Sequence, residues 1–522
     1  MERRIARTTL FAAVFAIVGS AFAAPPALAS NTSRDHGVRH RPVSIASHAS
    51  LAPSSATKAI TAQSANREGH GGGLARNFNG VSSLDSQITN FNATFEPPDQ
   101  GLCVGNGFVV EMVNSAFRVY DTHGNTLAGP TNVNAPFHED FAAFTSDPRC
   151  HYDPATNTWF AVVLFINDPG TASTLDIAFN TSGDPTTEWS VFRIDTTRLE
   201  APASFGCPCF GDQPRLGIDG SNIYITTDEF SILGPQFNGA QIYAISKSDL
   251  VHHRSNVHFV HFKDLTIAGD LALSVQPALT FGEAPAEYFL SSIDPNGTGN
   301  NQIGVWALTH AERVTSGGMP RLSSVVIESE PYAVPPQAEQ MGSTSRLDSG
   351  DDRMQQTQFI NGEIWGELTT AVTPDGDAAP RAGAAWFRVR PNLSGSKLHD
   401  AAVTGQGYVV AEGRDVIYPA VQADGEGHAA MVFTVTGPEM FPSAAYATLN
   451  EDETGFGKPV IAATGSGPYV ATPQRWGDYS WAVLDPKGTS VWMATEYMPP
   501  KSSQTTNGRR PWGTRVLQVV LQ

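Results

Sequence analysis

The chain has 522 residues, 41% of them hydrophobic, with 48 glycines, 36 prolines and 51 acidic residues against 33 basic ones, a net charge of −18. That length asks for several ordinary domains or one large repeat architecture. The composition excludes collagen, coiled coil and a polytopic membrane protein, and an acidic body repels phosphate backbones, which excludes nucleic acid as a partner.

Residues 1–29 read as an export signal. Arg3, Arg4 and Arg7 precede a short apolar run at 8–18, and Ala21-Phe22-Ala23 and Ala27-Leu28-Ala29 offer small-residue cleavage sites. The run is shorter than the about 20 residues that cross a bilayer, so no membrane span is expected after processing. The destination is the periplasm or the medium. Residues 30–77 are rich in Ser, Ala, His and Gly and are expected to be a disordered linker. The folded body is placed at 78–522, as a monomer. It carries 24 basic and 48 acidic residues, because residues 1–77 hold nine and three.

The body contains a degenerate repeat. Seven copies align, beginning at Gln100, Asp147, Gln213, Gln276, Gln355, Tyr418 and Tyr479. In each, a polar residue opens a stretch whose fourth and sixth positions are mostly apolar, the period of two of a strand with one packed face. Asp/Asn-Gly or Asp-Pro follows in most copies, then a second strand: 108–113, 159–165, 223–227, 288–293, 364–369, 429–434 and 491–497. Third strands are expected at 116–120, 241–245, 302–307 and 384–389, and fourth strands at 189–194, 257–262 and 322–328. Asp/Asn-Gly between alternating runs is a hairpin signal. The fold expected is all-β: a single seven-bladed β-propeller of four-stranded antiparallel blades. The last copy ends after its third strand, 514–521, and an N-terminal strand at 81–91 is expected to supply the missing outer one. Six or eight blades, or a set of β-sandwiches, are the rival arrangements.

Four cysteines in an exported chain permit disulfides. Cys103 and Cys150 share a repeat column in neighbouring copies, which favours a bridge between them. Cys207 and Cys209 flank one proline and are expected as a tight ring or as two free thiols.

In such a repeat the polar column converges on the mouth of the central channel. Asp99, Asp212 and Asp478 stand one position before it; Arg149, Arg215, Arg353 and Arg475 stand close by. The second strands run back to the same face and deliver Glu111, Asn114, Asp168, Asp228, Glu229, Glu367 and Glu496. Guanidinium forks bind carboxylates, phenols bridge, and paired acids transfer protons. The same residue types also cap turns and satisfy backbone groups. A calcium ion held by Asp99, Asp212 and Asp478 is a further reading. His252, His253, His258 and His261 cluster in sequence on an outer strand, a weaker metal candidate.

The blocks Asp147-Pro148-Arg149, Tyr152-Asp153-Pro154, Asp351-Asp352-Arg353, Trp476-Gly477-Asp478-Tyr479-Ser480 and Thr495-Glu496-Tyr497 resemble those of exported bacterial β-propeller proteins near the sialidase-like superfamily. Thr181-Ser182-Gly183-Asp184-Pro185, followed by Trp189, is similar to a worn Asp-box turn. The resemblance implies a propeller fold. With one degenerate Asp box and no Arg-Ile-Pro motif, it does not extend to sialidase chemistry.

Three functions follow as expectations. The first is binding of an extracellular glycan or other polar or acidic molecule at the channel mouth, through Arg149, Arg215, Arg353, Arg475, Asp147, Glu229 and Glu496. The second is a glycan-active hydrolase or lyase, with Asp352 or Asp478 as acid/base and Tyr479 or Tyr418 as nucleophile or base. The third is a calcium-stabilised surface module without catalysis.

Overall fold

The computed structural model describes residues 60–62, 73–168, 170–197, 207–234, 236–294, 297, 299–450, 453–471 and 474–521. The expected export signal and most of the 30–77 stretch lie outside them.

The described chain is built from four-stranded antiparallel sheets laid down one after another. Sheet A is Gly101–Gly105, Phe108–Val113, Ala116–Asp121 and Thr126–Thr131. Sheet B is Phe144–Asp153, Thr158–Ile166, Ser173–Asn180 and Ser190–Asp195. Sheet C is Cys209–Ile218, Asn222–Ser231, Phe237–Ser246 and Phe259–Phe262. Sheet D is Gln276–Phe281, Glu287–Ser292, Asn300–Thr309 and Arg321–Tyr332. Sheet E is Gln356–Ile360, Glu363–Pro374, Arg381–Ser394 and Lys397–Val409. Sheet F is Asp415–Ala423, Ala429–Gly437, Met440–Thr448 and Val460–Ala463. Sheet G is Trp481–Leu484, Ser490–Tyr497 and Gly513–Val520, with Gly73–Ser82 paired on its outside.

Local chemistry makes these hairpins. Asn106-Gly107 and Asn361-Gly362 both have two successive positive φ values, the turn that matches the twist of paired strands. Between sheets, apolar side chains pack face to face. Cys103, Val110, Trp159 and Ala161 bury one seam between A and B, and Ala278, Leu290, Ile364 and Phe387 bury one between D and E. The first strands of C, D and E also pair in parallel, Ile218 with Leu279 and Ala278–Phe281 with Thr357–Ile360.

The N-terminal strand begins and ends earlier than expected. It starts at Gly73, inside the expected linker, and stops at Ser82. Residues Ser83–Thr89, read from sequence as strand, form a short helix. The reason is a capping box: the Ser82 hydroxyl accepts from the Asp85 N–H, and the Asp85 carboxylate accepts from the Ser82 N–H. Thr61–Ala62 adds a further short parallel pairing, to Thr373 and Pro374.

Glu111, expected at the mouth, instead fastens this N-terminal strand. Its side chain is wholly buried and accepts from the Val81 N–H at 2.8 Å, Gln100 Nε2 at 2.9 Å, the Tyr120 hydroxyl at 3.0 Å and the Thr514 hydroxyl. One carboxylate thus joins the N-terminal strand, sheet A and sheet G. Replacing it by alanine strands several buried donors, each worth about 1–3 kcal/mol. Glu111→Ala is expected to lose roughly 3 kcal/mol or more in denaturant unfolding, and Glu111→Gln distinctly less. An alanine variant within about 1 kcal/mol of the parent rules out this role.

Candidate functional site

The site is made by a backbone device at the entrance to the first strands. Asp99, Asp147, Gln213, Ser274, Tyr418 and Asp478 all have left-handed backbone, with φ of 52°, 60°, 47°, 46°, 51° and 50°. Three of them precede a proline, where the extended region is normally preferred. At those three the strand also bulges, between Ser146 and Arg149, Asp212 and Arg215, and Ile417 and Ala420. Proline is at home in a bulge because it has no N–H to leave unpaired, and the bulge re-aims the neighbouring side chains.

Side chains of the preceding sheet hold the strained residues in place. Asp147 N–H donates to Asn114 Oδ1 at 3.0 Å, and Gln213 N–H to Asp147 Oδ2 at 3.2 Å. Ser274 N–H donates to Asp228 Oδ1 at 2.9 Å, and Tyr418 N–H to Thr369 Oγ1 at 3.1 Å. Each of these acceptors comes from the second strand of the sheet before, or in the case of Asp147 its first strand. Gly477, also left-handed, lies so close to the Tyr418 ring that a Cβ there would sit 2.2 Å from it.

Asp99, Asp147, Asp212 and Asp478, from sheets A, B, C and G, line one small cavity of about 30 Å³ together with Ser146, Gln213, Arg475, Pro97, Phe144 and Leu164. That volume accepts a water molecule or a single hydroxyl group, far less than a sugar ring. Burial, with Asp478 and Asp147 close by, pushes Asp99 well above the usual carboxyl range. Burial likewise raises Asp147, whose carboxyl is in hydrogen-bonding contact with that of Asp99. Burial and the neighbouring Asp147 push Asp212 up to about 8. Asn114 Nδ2 donates to Asp99 Oδ2 at 2.6 Å, while Asp99 Oδ1 has no hydrogen-bond donor of its own.

Around these acids the guanidinium groups are already engaged. Arg353 forks onto Asp351 at 2.7 and 2.6 Å, which outweighs burial and holds the Asp351 carboxyl below its usual range. Arg475 reaches both oxygens of Asp478 at 2.8 and 2.7 Å, and Asp348 lies 3.8 Å from it. Arg215 bonds Asp228 and Ser274, both at 2.7 Å. Gln213 links the groups: its Oε1 accepts from Arg353 at 2.8 Å and Arg215 at 3.1 Å, and its Nε2 reaches Asp478 at 3.4 Å. Arg149 lies deeper, 3.2 Å above the Tyr479 ring centroid and 4.6 Å from that of Trp481. Its charge is desolvated, which pulls it down to about 10. Burial pushes Glu367 well up, and Arg149 draws it partly back. Nearby, the Gln356 amide bonds both the N–H and the C=O of Ala482, at 3.0 and 2.6 Å.

Several residues read from sequence are not where expected. Asp352 turns away from Arg353 and faces Asp294, and burial pushes it well up; Asp351, one residue earlier, takes the guanidinium. Glu229 faces Asn238 and Cys209, while its neighbour Asp228 joins the arginine network. Alternation along the strand Asn222–Ser231 sends Asp228 and Glu229 to opposite faces, while Asp351 and Asp352 are parted by a bend in the loop before sheet E. Tyr479 and Tyr418 do not line the cavity. The Tyr479 hydroxyl donates to Pro148 C=O at 3.2 Å beneath Arg149, and burial pushes both phenols well above their ordinary range, away from nucleophilic phenolate. Glu496 accepts from the Gly477 N–H at 2.7 Å and is likewise raised by burial. Asp168 is exposed. Asp99, Asp212 and Asp478 share the cavity, but their carboxylate oxygens do not close to within 4.8 Å of one another as a set, so a calcium cage is not preformed. Asp348, Ser274 and Ser146 were not singled out from sequence. Asp348 could have been, as the start of the acidic run Asp348-Ser349-Gly350-Asp351-Asp352.

The histidines disperse: His258 binds Asp249, His261 stacks on Tyr243 and meets Gln241, and His253 lies against Phe179 and Thr181. The Asp-box-like turn joins the last two strands of sheet B, with Trp189 Nε1 donating to Pro185 C=O at 3.1 Å. A larger cavity of about 230 Å³ lies between the N-terminal strand and sheet G, and its charged lining residues, Arg118 and Asp85, are paired with each other at 2.6 Å. Both disulfides form, Cys103–Cys150 and Cys207–Cys209.

No protein-family model matches the chain, and no curated protein matches it in sequence. Among solved structures it is similar to the α-L-arabinofuranosidase Arb93A from Fusarium graminearum bound to an iminosugar inhibitor, at 10% identity and a TM-score of 0.35, over 85% of this chain and 97% of that one. It is similar to Drosophila Semaphorin 1a, extracellular domains 1–2, at 9% identity and a TM-score of 0.37, over 87% and 89%. It is similar to the phage phi92 endosialidase at 9% identity and a TM-score of 0.32, over 70% and 66%. Likeness this distant transfers no activity.

The acidic cavity has a thermodynamic signature. Asp99, Asp147 and Asp212 keep protons in the folded protein that the unfolded chain gives up near pH 4. The folded state therefore binds more protons over that interval, and stability falls as pH rises from about 4 to about 8. The melting temperature is expected to drop by several degrees between about pH 5.5 and pH 8, and Asp212→Asn should flatten the slope. A melting temperature that climbs over this interval contradicts the assignment.

Proposed function

We propose that the protein is an exported, single seven-bladed β-propeller, sheets A to G being its blades and Gly73–Ser82 the outer strand of the last, and that it engages a neutral, hydroxyl-rich extracellular glycan over the acidic mouth. Closure is supported by the bond from Gln100 N–H to Tyr479 C=O between sheets A and G, and by the Glu111 network. Export is supported by two disulfides. No helix among the described residues is long and apolar enough to cross a membrane.

The observation that carries the ligand class is the convergence of four carboxyl groups on a cavity the size of one hydroxyl. Asp351 fills the fork of Arg353, and one nitrogen of Arg475 holds both oxygens of Asp478, so an acidic ligand has to compete with the protein's own carboxylates for these cations. A sugar hydroxyl needs no such competition. It donates to an ionised carboxylate and accepts from Asp212, which keeps its proton to about pH 8, while the ring rests on the partly exposed rim of Asp348, Asp351, Arg353 and Arg475.

A hydrolytic reading is favoured by one feature, the raised Asp212 in the cavity it shares with Asp478, whose carboxylate is ion-paired with Arg475. Glycoside hydrolysis needs a protonated and an ionised carboxyl together. In that reading Asp212, rather than Asp352, is the general acid.

Glycan-array binding tests the first reading. Neutral glycans are expected to bind, with Asp212→Asn or Gln213→Ala weakening them by roughly tenfold, the loss of one neutral hydrogen bond. Binding of uronic or sialic acid glycans alone would falsify it. For hydrolysis, reducing-sugar release is expected to disappear as pH rises through about 8 and to be abolished in Asp212→Asn. Release that persists in that variant removes Asp212 from the chemistry.

A further inference from the structure

We propose that the Cys207–Cys209 disulfide is a thiol–disulfide exchange site, with Glu229 and Asn238 serving its leaving sulfur and dithiols of other exported polypeptides as its substrate.

The two disulfides of the chain are built differently. Cys103–Cys150 links the first strands of sheets A and B across 47 residues, and both sulfurs belong to fully buried residues. Cys207–Cys209 spans two residues. A cross-link over so short a loop removes little freedom from the unfolded chain, so it contributes little to holding the fold. It is also lopsided: Cys209 is fully buried at the start of sheet C, whereas Cys207 is partly exposed.

A polar pair stands at the buried sulfur. Both Sγ atoms and a Glu229 carboxylate oxygen lie within 4.8 Å of one another. Asn238 Nδ2 is 3.4 Å from Cys209 Sγ and 3.3 Å from Glu229 Oε1. Burial raises the Glu229 carboxyl to about 7, the bond from Asn238 drawing it down, with smaller influences from Asp264 and Lys263. It therefore holds a proton for much of the time at neutral pH. A structural disulfide needs neither a buried acid nor an amide at its sulfur, and Glu229 takes no part in the acidic mouth. A carboxyl beside a sulfur that must accept an electron pair is what exchange chemistry uses.

The steps balance. A substrate thiolate attacks Cys207 Sγ, the exposed sulfur; a new S–S bond forms there and the Cys207–Cys209 bond breaks. The electron pair passes to Cys209 Sγ, which takes the Glu229 proton. The second substrate thiolate then attacks the substrate sulfur of the mixed disulfide, and Cys207 leaves as a thiolate. The protein disulfide is reduced to a dithiol and the substrate dithiol is oxidised to a disulfide. The two substrate thiol protons pass to solvent, one restoring Glu229 and the other available to Cys207. An incoming small-molecule disulfide reverses the sequence.

The folded protein is incubated with mixtures of reduced and oxidised glutathione near neutral pH, acid-quenched, alkylated and peptide-mapped by mass. The pair Cys207 and Cys209 is expected to interconvert between dithiol and disulfide while Cys103–Cys150 persists, with the glutathione adduct on Cys207. Glu229→Gln is expected to slow reduction at least about tenfold at unchanged melting temperature, and Asn238→Ala to slow it as well. The proposal is overturned if both disulfides resist glutathione equally, if the adduct forms on Cys209, or if Glu229→Gln leaves the rate unchanged. Mapping of the unsubstituted protein decides the first two points even where a variant fails to fold.

Discussion

The acidic cavity depends on a backbone N–H at the entrance to the first strand of a sheet and the side chain of the preceding sheet that accepts it. A left-handed residue before proline is unfavourable in isolation. At Asp147, Gln213 and Tyr418 it persists because Asn114, Asp147 and Thr369 each take the exposed N–H. The bond satisfies a donor that the bulge removes from the sheet ladder, and it sets the angle between one sheet and the next. Asp147 is both acceptor and donor in this series, so sheets A, B and C are coupled through a single residue. The acids of the cavity are therefore positioned by the same bonds that assemble the sheets.

That arrangement carries an electrostatic burden. Four carboxyl groups around a cavity the size of one hydroxyl cannot all be ionised, since each would lack both water and a counter-charge. The molecule answers in two ways. Asp99 and Asp212 retain protons, and Arg475 lies against Asp478 through both oxygens. Gln213 spreads the remaining tension, since one neutral amide contacts Arg215, Arg353 and Asp478. Arginines that look from sequence like ligand hooks are in this geometry the counter-ions of the protein's own acids. Arg149 shows the same principle more strongly, with its charge carried by the faces of Tyr479 and Trp481.

The sequence made the strand order legible to a useful degree. The second strand expected at 108–113 is the observed Phe108–Val113, and the others fall within or close to observed strands. Hairpin glycines and the period-two pattern are local signals, and they survive folding intact. Asp99, Asp147, Asp212 and Asp478 were also legible, because Asp147 opens a repeat copy and the other three each stand one position before one. What failed was the choice between neighbours. Asp228 and Glu229 differ by one step along a strand, where the register fixes which one meets Arg215, and Asp351 and Asp352 differ by one step in a bent loop, where the bend fixes which one meets Arg353. The helix at Ser83–Thr89 was missed because the apolar residues at 81–91 were given more weight than the Ser82–Asp85 capping pair. Glu111 was misread because Thr514, one of its partners, is 403 residues away in sequence.

The same one-residue step separates two chemistries on one strand. Asn222–Ser231 ends with Asp228 on the side of Arg215 and Ser274 and Glu229 on the side of Asn238 and Cys209. A substitution at either position acts on different partners, so the two sites are expected to respond independently unless the strand itself shifts. The first strand of sheet C reinforces that division: Cys209 opens it beside Glu229, Asp212, three residues on, reaches the cavity with Gln213, and Arg215, beyond the bulge, bonds Asp228. Alternation alone puts Cys209 and Asp212 on opposite faces, and the bulge that follows Asp212 re-aims Gln213 and Arg215 toward Arg353 and Asp228.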